Sequence, residues 1–101
     1  MKLEAFVDGG SRGNPGEAGI GVYIPGLVRV AEYLGTATNN FAEYSALICA
    51  LRCGVLHRCD ELTVYADSEL VVKQILGEYQ VTAKIYQEIA AAIKVIVEKE
   101  G

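Results

Sequence analysis

KLEAFVDGGSRGNPGEAGIGVYI, residues 2–24, is the stretch that decides the fold. Residues 2–8 alternate, with Leu3, Ala5 and Val7 on one side and Glu4, Phe6 and Asp8 on the other, which predicts a half-buried strand ending on an acid. Residues 9–17 carry glycine at 9, 10, 13 and 16 around Pro15 and read as a turn-rich loop. Alternation resumes over 18–24, where Ile20, Val22 and Ile24 oppose Gly19, Gly21 and Tyr23. Pro25-Gly26 then marks a turn, and a third strand is predicted over 27–34, completing an antiparallel meander.

Working outward, Thr38-Asn39-Asn40 supplies cap-type residues for a helix over about 41–56, with Tyr44, Leu47, Ile48, Leu51 and Val55 as its apolar stripe. A fourth strand over 61–67 alternates through Leu62, Val64 and Ala66 and ends on a second acid, Asp67. Ser68 caps a short helix through Leu76 that Gly77 stops. A last helix is expected from Thr82 to about Lys99, burying Ile85, Ile89, Ala92, Ile93, Ile96 and Val97. The order is βββαβαα, an α/β mixed sheet with antiparallel strands 1-2-3, a parallel strand 4 and helices packed on it, in a single domain over residues 1–101.

Composition fits a globular chain, with 51% hydrophobic and 22% charged residues. No apolar run is long enough to span a membrane, and no basic-then-apolar leader is visible, so the expected compartment is the cytoplasm. Cys49, Cys53 and Cys59 are odd in number and clustered, which suits reduced thiols better than disulfides. A net charge of −4 argues against broad attraction to phosphates, so any nucleic-acid role must rest on local motifs.

Those motifs are acidic. A helical crossover makes strands 1 and 4 parallel and sets their carboxyl ends on one rim. Strands lie about 4.8 Å apart, so Asp8 and Asp67 come within reach of shared cations, and Glu43 enters from the first turn of the connecting helix. Oxygen ligands without His or Cys favour Mg²⁺ or Mn²⁺, and two such ions can activate water and stabilise a leaving oxygen in phosphodiester cleavage. Taken singly, each acid could instead cap a turn or a helix.

The segments DGGSRGNPG (8–16), AGIGV (18–22), TNNFAEY (38–44) and VYADSELVV (64–72) resemble, in order and spacing, the signature segments of ribonuclease H type 1. The resemblance covers essentially the whole chain. It implies a ribonuclease H-like fold, a two-metal endonuclease that cuts the RNA strand of RNA–DNA hybrids, and Asp8, Glu43 and Asp67 as catalytic, metal-binding acids using Mg²⁺ or Mn²⁺. It also implies Gly9, Gly10, Ser11, Asn14, Thr38, Asn39 and Asn40 as hybrid-binding residues, Thr38 at a phosphate of the DNA strand. A hybrid displays 2′-hydroxyls in a wide, shallow groove that glycine backbone and amide side chains can approach. The same residue types also form ordinary turns. The family continues past the last helix into a fifth strand, a histidine-bearing loop and a helix with a fourth aspartate, and the chain is read as stopping at Gly101 before all of them. The rival class is a weakly active or inactive module that binds hybrids or self-associates.

Two further expectations follow. Cys49, Cys53 and His57 sit at i, i+4 and i+8, but a straight helix separates 49 from 57 by about 12 Å, too far to share one zinc ion. Without a fifth strand, strand 4 is a bare apolar edge, which predicts a homodimer covering that edge or the 82–99 helix.

Overall fold

The computed structural model describes residues 1–67 and 80–99. They form β1 (Lys2–Gly13), β2 (Gly16–Ile24), β3 (Val28–Ala37), α1 (Asn39–Leu56), β4 (Glu61–Ala66), α2 (Gln80–Ala92) and β5 (Lys94–Lys99). The strands make one sheet in the order β3-β2-β1-β4-β5, antiparallel from β3 to β1 and parallel from β1 to β5. Alternation does what the sequence implies. Ala5, Val7, Val22, Ile24, Leu62 and Val64 turn to one face and pack with Leu47 and Leu51 of α1, all nearly or fully buried. The opposite face carries Phe6 stacked on Tyr65 with ring centroids 5.0 Å apart, and Tyr23 at 6.4 Å from Phe6.

The absence of a fifth strand is overturned: β5 pairs with β4 in parallel from Glu61↔Lys94 to Ala66↔Lys99. The expected helix over 82–99 stops at Ala92, and only Ile93 separates it from the strand. The physical reason is local. Val95, Ile96 and Val97 are consecutive β-branched residues, stiff at χ1 and better packed on a pleated surface than in a helix. Ile93 closes the helix through a 3.0 Å bond from its N–H to the Ile89 carbonyl, and Lys94 N–H opens the strand by donating to the Asp60 carbonyl at 2.9 Å. Ile96 and Val97 had mimicked a continuing helical stripe because a short apolar run fits both periods.

The homodimer loses its premise with the same finding, since both edges of β4 are paired, to β1 and to β5. The turn-rich loop over 9–17 is also mostly strand. β1 runs on to Gly13, pairs with β2 down to Gly13↔Gly16, and turns through a cis Asn14-Pro15 peptide. On α1 the buried stripe includes Ala46, Ala50 and Gly54, whereas Val55 is exposed. The helix expected over Ser68–Leu76 and its Gly77 stop lie outside the described residues. Among those residues no helix is long and apolar enough to cross a membrane.

Candidate active site

β1 and β4 pair with a constant offset from Lys2↔Glu61 to Phe6↔Tyr65. Carried two residues further, that offset sets Asp8 beside Asp67, on the face away from α1 because Val7 and Ala66 point into the core. Both acids are exposed and line one cavity of about 430 Å³, together with Phe6, Tyr23 and Arg29.

Glu43 arrives from α1. Thr38 caps that helix, its Oγ1 accepting from the Phe41 N–H at 3.1 Å. The helix then packs against β1 at Gly9, where a Cβ would stand 2.2 Å from the Ala42 carbonyl oxygen and 2.8 Å from the Glu43 nitrogen. Only glycine permits that approach, and it is what brings Glu43 alongside Asp8. Glu43 Oε1 accepts from Asn39 Nδ2 at 3.1 Å, while its Oε2 is buried without a hydrogen-bond partner. Burial is the main cause that raises the Glu43 pKa above its ordinary 4.5; the Asn39 amide lowers it, and the charges of Asp67 and Asp8 raise it further.

The three sequence-derived acids are therefore brought into one electrostatic field. Among the described residues none of them has a basic partner, whereas Glu61 is paired with Lys2 and Lys94, and Asp60 with the N-terminal ammonium. They do not converge on a ready-made cage: among the described residues no group of three or more His, Cys, Asp or Glu side chains is arranged to hold a metal ion. The donor chemistry still suits a hard divalent cation, because an orphaned buried carboxylate oxygen and two exposed carboxylates offer oxygen ligands and unbalanced charge.

The expected hybrid-binding residues lie in two places. Ser11, Asn14, Thr38 and Asn39 are knitted together where the β1–β2 arm meets the start of α1. Asn14 Oδ1 accepts from the Asn39 N–H at 3.0 Å, and Asn39 Oδ1 accepts from the Ser11 N–H at 3.2 Å. Each thus has a structural task, and Asn14 keeps its Nδ2 donors for another partner. Gly9 faces α1, Gly10 stands open apart from Asn39 Oδ1 at 3.4 Å from its Cβ position, and Asn40 is exposed on the first turn. Sequence reading passed over Arg12 and Tyr33, which line a second cavity with Asp8. The signal for Tyr33 was there in β3, where Arg29, Ala31 and Tyr33 alternate against Val28 and Val30.

A family profile described as RNase H matches residues 1–100. Ribonuclease HI of Halobacterium salinarum is 41% identical over 83 residues, covering 77% of this chain and 42% of that protein. The chain thus spans less than half the length of that curated relative. The crystal structure of RNase H1 from the same archaeon superposes with a TM-score of 0.83 at 30% identity, covering 99% of this chain and 86% of that one. LC11-RNase H1, in complex with an RNA/DNA hybrid, superposes with a TM-score of 0.80 at 33% identity, covering 97% and 84%.

Proposed function

The chain belongs to the ribonuclease H family, and from that premise we propose that it is an endonuclease domain that hydrolyses the RNA strand of RNA–DNA hybrids with divalent metal. The observation that carries the reading is the buried, unpartnered Oε2 of Glu43, on a carboxyl that lies within the electrostatic influence of Asp67 and Asp8. A carboxylate oxygen kept from water without a donor costs free energy unless a proton or a cation meets it. The similarity to a relative crystallised with a hybrid supports the choice of substrate.

Mg²⁺ or Mn²⁺, two ions in the full reading, would neutralise the three acids and supply Lewis acidity to the phosphodiester. Asp8 and Asp67 would hold metal from the exposed side and Glu43 from the helix side. Asn39 orients Glu43 through its Nδ2, so that one carboxylate oxygen is occupied and the other remains for a ligand. The Nδ2 donors of Asn14, the Thr38 hydroxyl, Ser11, Asn40 and the open backbone at Gly10 would offer donors and close approach suited to 2′-hydroxyls and backbone oxygens in the hybrid groove.

Incubation with an end-labelled RNA–DNA hybrid, with and without Mg²⁺ or Mn²⁺, tests this beside duplex DNA and duplex RNA. The expected outcome is metal-dependent cutting of the RNA strand in the hybrid alone, lost in Asp8→Asn. Binding of the hybrid without cutting under any metal would reject the enzyme in favour of a hybrid-binding module.

A further inference from the structure

On the face away from α1, the residues paired across β1, β2 and β3 form rows: Asp8–Gly21–Ala31, then Gly10–Gly19–Tyr33, then Arg12–Glu17. The middle row has no side chain on two of its three strands. Tyr33 stands at its end, 71% exposed, a large solvent exposure for an aromatic ring. A bulge in the β2–β3 ladder at Ala18/Gly19 falls next to it, a device that re-aims side chains near functional sites. The result is an open trough of about 570 Å³ walled by Asp8, Arg12, Glu17 and Tyr33, within the roughly 300–1,000 Å³ usual for binding sites. It starts at the carboxylate rim and runs along β1 for about 14 Å, four residues at ~3.4 Å each, to Arg12.

Resting on the nuclease reading above, we propose that this trough is a track for the phosphodiester backbone of the strand leaving the carboxylate centre, with Arg12 and Tyr33 as substrate-positioning residues. Arg12 supplies a planar, permanently charged donor set matched to a phosphate. Tyr33 supplies a hydroxyl donor for a second backbone oxygen and a flat ring for the sugar beside it. The glycine floor lets the backbone of the nucleic acid settle against the sheet without meeting a Cβ. Glu17 opposes Arg12 across the ladder, but no ion pair closes between them among the described residues, so the guanidinium is available to an anion. The need for such a contact follows from charge: at net −4 the chain has no overall attraction for a polyanion, and affinity must come from placed cations.

The test is fluorescence anisotropy of a fluorescein-labelled RNA–DNA hybrid across a salt series, with the parent, Arg12→Ala, Arg12→Lys, Tyr33→Ala and Tyr33→Phe. One phosphate contact contributes about 0.9 to the slope of log affinity against log salt. Arg12→Ala is therefore expected to bind more weakly at low salt and to lose roughly 3.5-fold less affinity than the parent between ~50 and ~200 mM salt. Arg12→Lys restores the slope. Tyr33→Phe binds roughly 2- to 12-fold more weakly, the range for one net hydrogen bond, and Tyr33→Ala, which also loses the ring, more weakly still, both with the slope unchanged. Thermal unfolding, unchanged at these exposed positions, separates contact from structure. Parental slope in Arg12→Ala together with parental affinity in both Tyr33 variants overturns the track and leaves the nuclease reading intact. A parent that does not bind the hybrid at any salt overturns both.

Discussion

Gly9→Ala is the most demanding single change for this site. The added Cβ would lie 2.2 Å from the Ala42 carbonyl oxygen and 2.8 Å from the Glu43 nitrogen. Ordinary contact begins at about 3.4 Å, so a gap of roughly 1 Å must open between a strand and a helix backbone. β1 is paired on both sides and cannot retreat, which leaves the first turn of α1 to move, and Glu43 with it. Overpacking of this kind costs about 1–3 kcal/mol, and a catalytic group misplaced by about 1 Å can cost on the order of 100-fold in rate. At roughly 4–8 °C per kcal/mol for a domain of this size, Tm should fall by at least about 4 °C. Gly10→Ala is the control: its Cβ meets only Asn39 Oδ1 at 3.4 Å, and the effect should stay within about 0.5 kcal/mol. Calorimetry and hybrid-cleavage rates on both variants decide the matter. If Gly9→Ala melts with the parent and cuts at the parental rate, the account of how Glu43 is positioned is wrong.

Three other outcomes are expected. The raised pKa of Glu43, caused first by burial, means the folded state holds its proton more tightly than the unfolded state; the stabilisation is complete below the unfolded value near 4.5 and is lost as pH rises through the folded value. Glu43→Gln should therefore gain Tm over the parent as pH is raised across that window in metal-free buffer, and an unchanged difference would contradict it. Divalent metal should stabilise the parent at neutral pH by about 1.4 kcal/mol at tenfold its Kd, seen in a thermal melt with Mn²⁺, and should not stabilise an Asp8→Asn, Glu43→Gln double variant. Hydrogen exchange should show alternating amide protection through Lys94–Lys99, as in a strand paired on one side, whereas continuous protection would restore a helix.

How far the sequence could be read depended on whether one period dominated. Leu3, Ala5 and Val7, and again Leu62, Val64 and Ala66, allow only a strand, so the β1–β4 neighbourhood and the joint position of the two aspartates were legible. Glu43 was legible because Thr38 marks where its helix begins. Val95–Ile96–Val97 satisfied two periods at once, and β-branching, not spacing, decided between them. The glycines of 9–16 looked like punctuation; in the structure Gly10, Gly13 and Gly16 are paired residues of a long hairpin arm. Gly54 gave no apolar signal although it is buried, because its role is to let α1 lie close to Leu62. The β3 alternation turns Tyr33 outward, but its place in the trough was not legible because the other lining residues come from β1 and β2.

The pairing of β1 with β4 also governs when the acids first meet during folding. Asp8 belongs to the first strand and Asp67 follows the fourth, with the whole of β2, β3 and α1 between them. No hairpin or isolated helix contains two of the three acids in their native relation, so the site has no local precursor. It comes into being only when a long loop has closed, a step whose entropy is charged before any contact repays it and which slows folding of non-local topologies. A slip of one residue in that late pairing would turn Asp67 to the helix side of the sheet while leaving Asp8 outside. Nascent or partly folded chains are accordingly unable to bring the three acids together before the parallel register has formed.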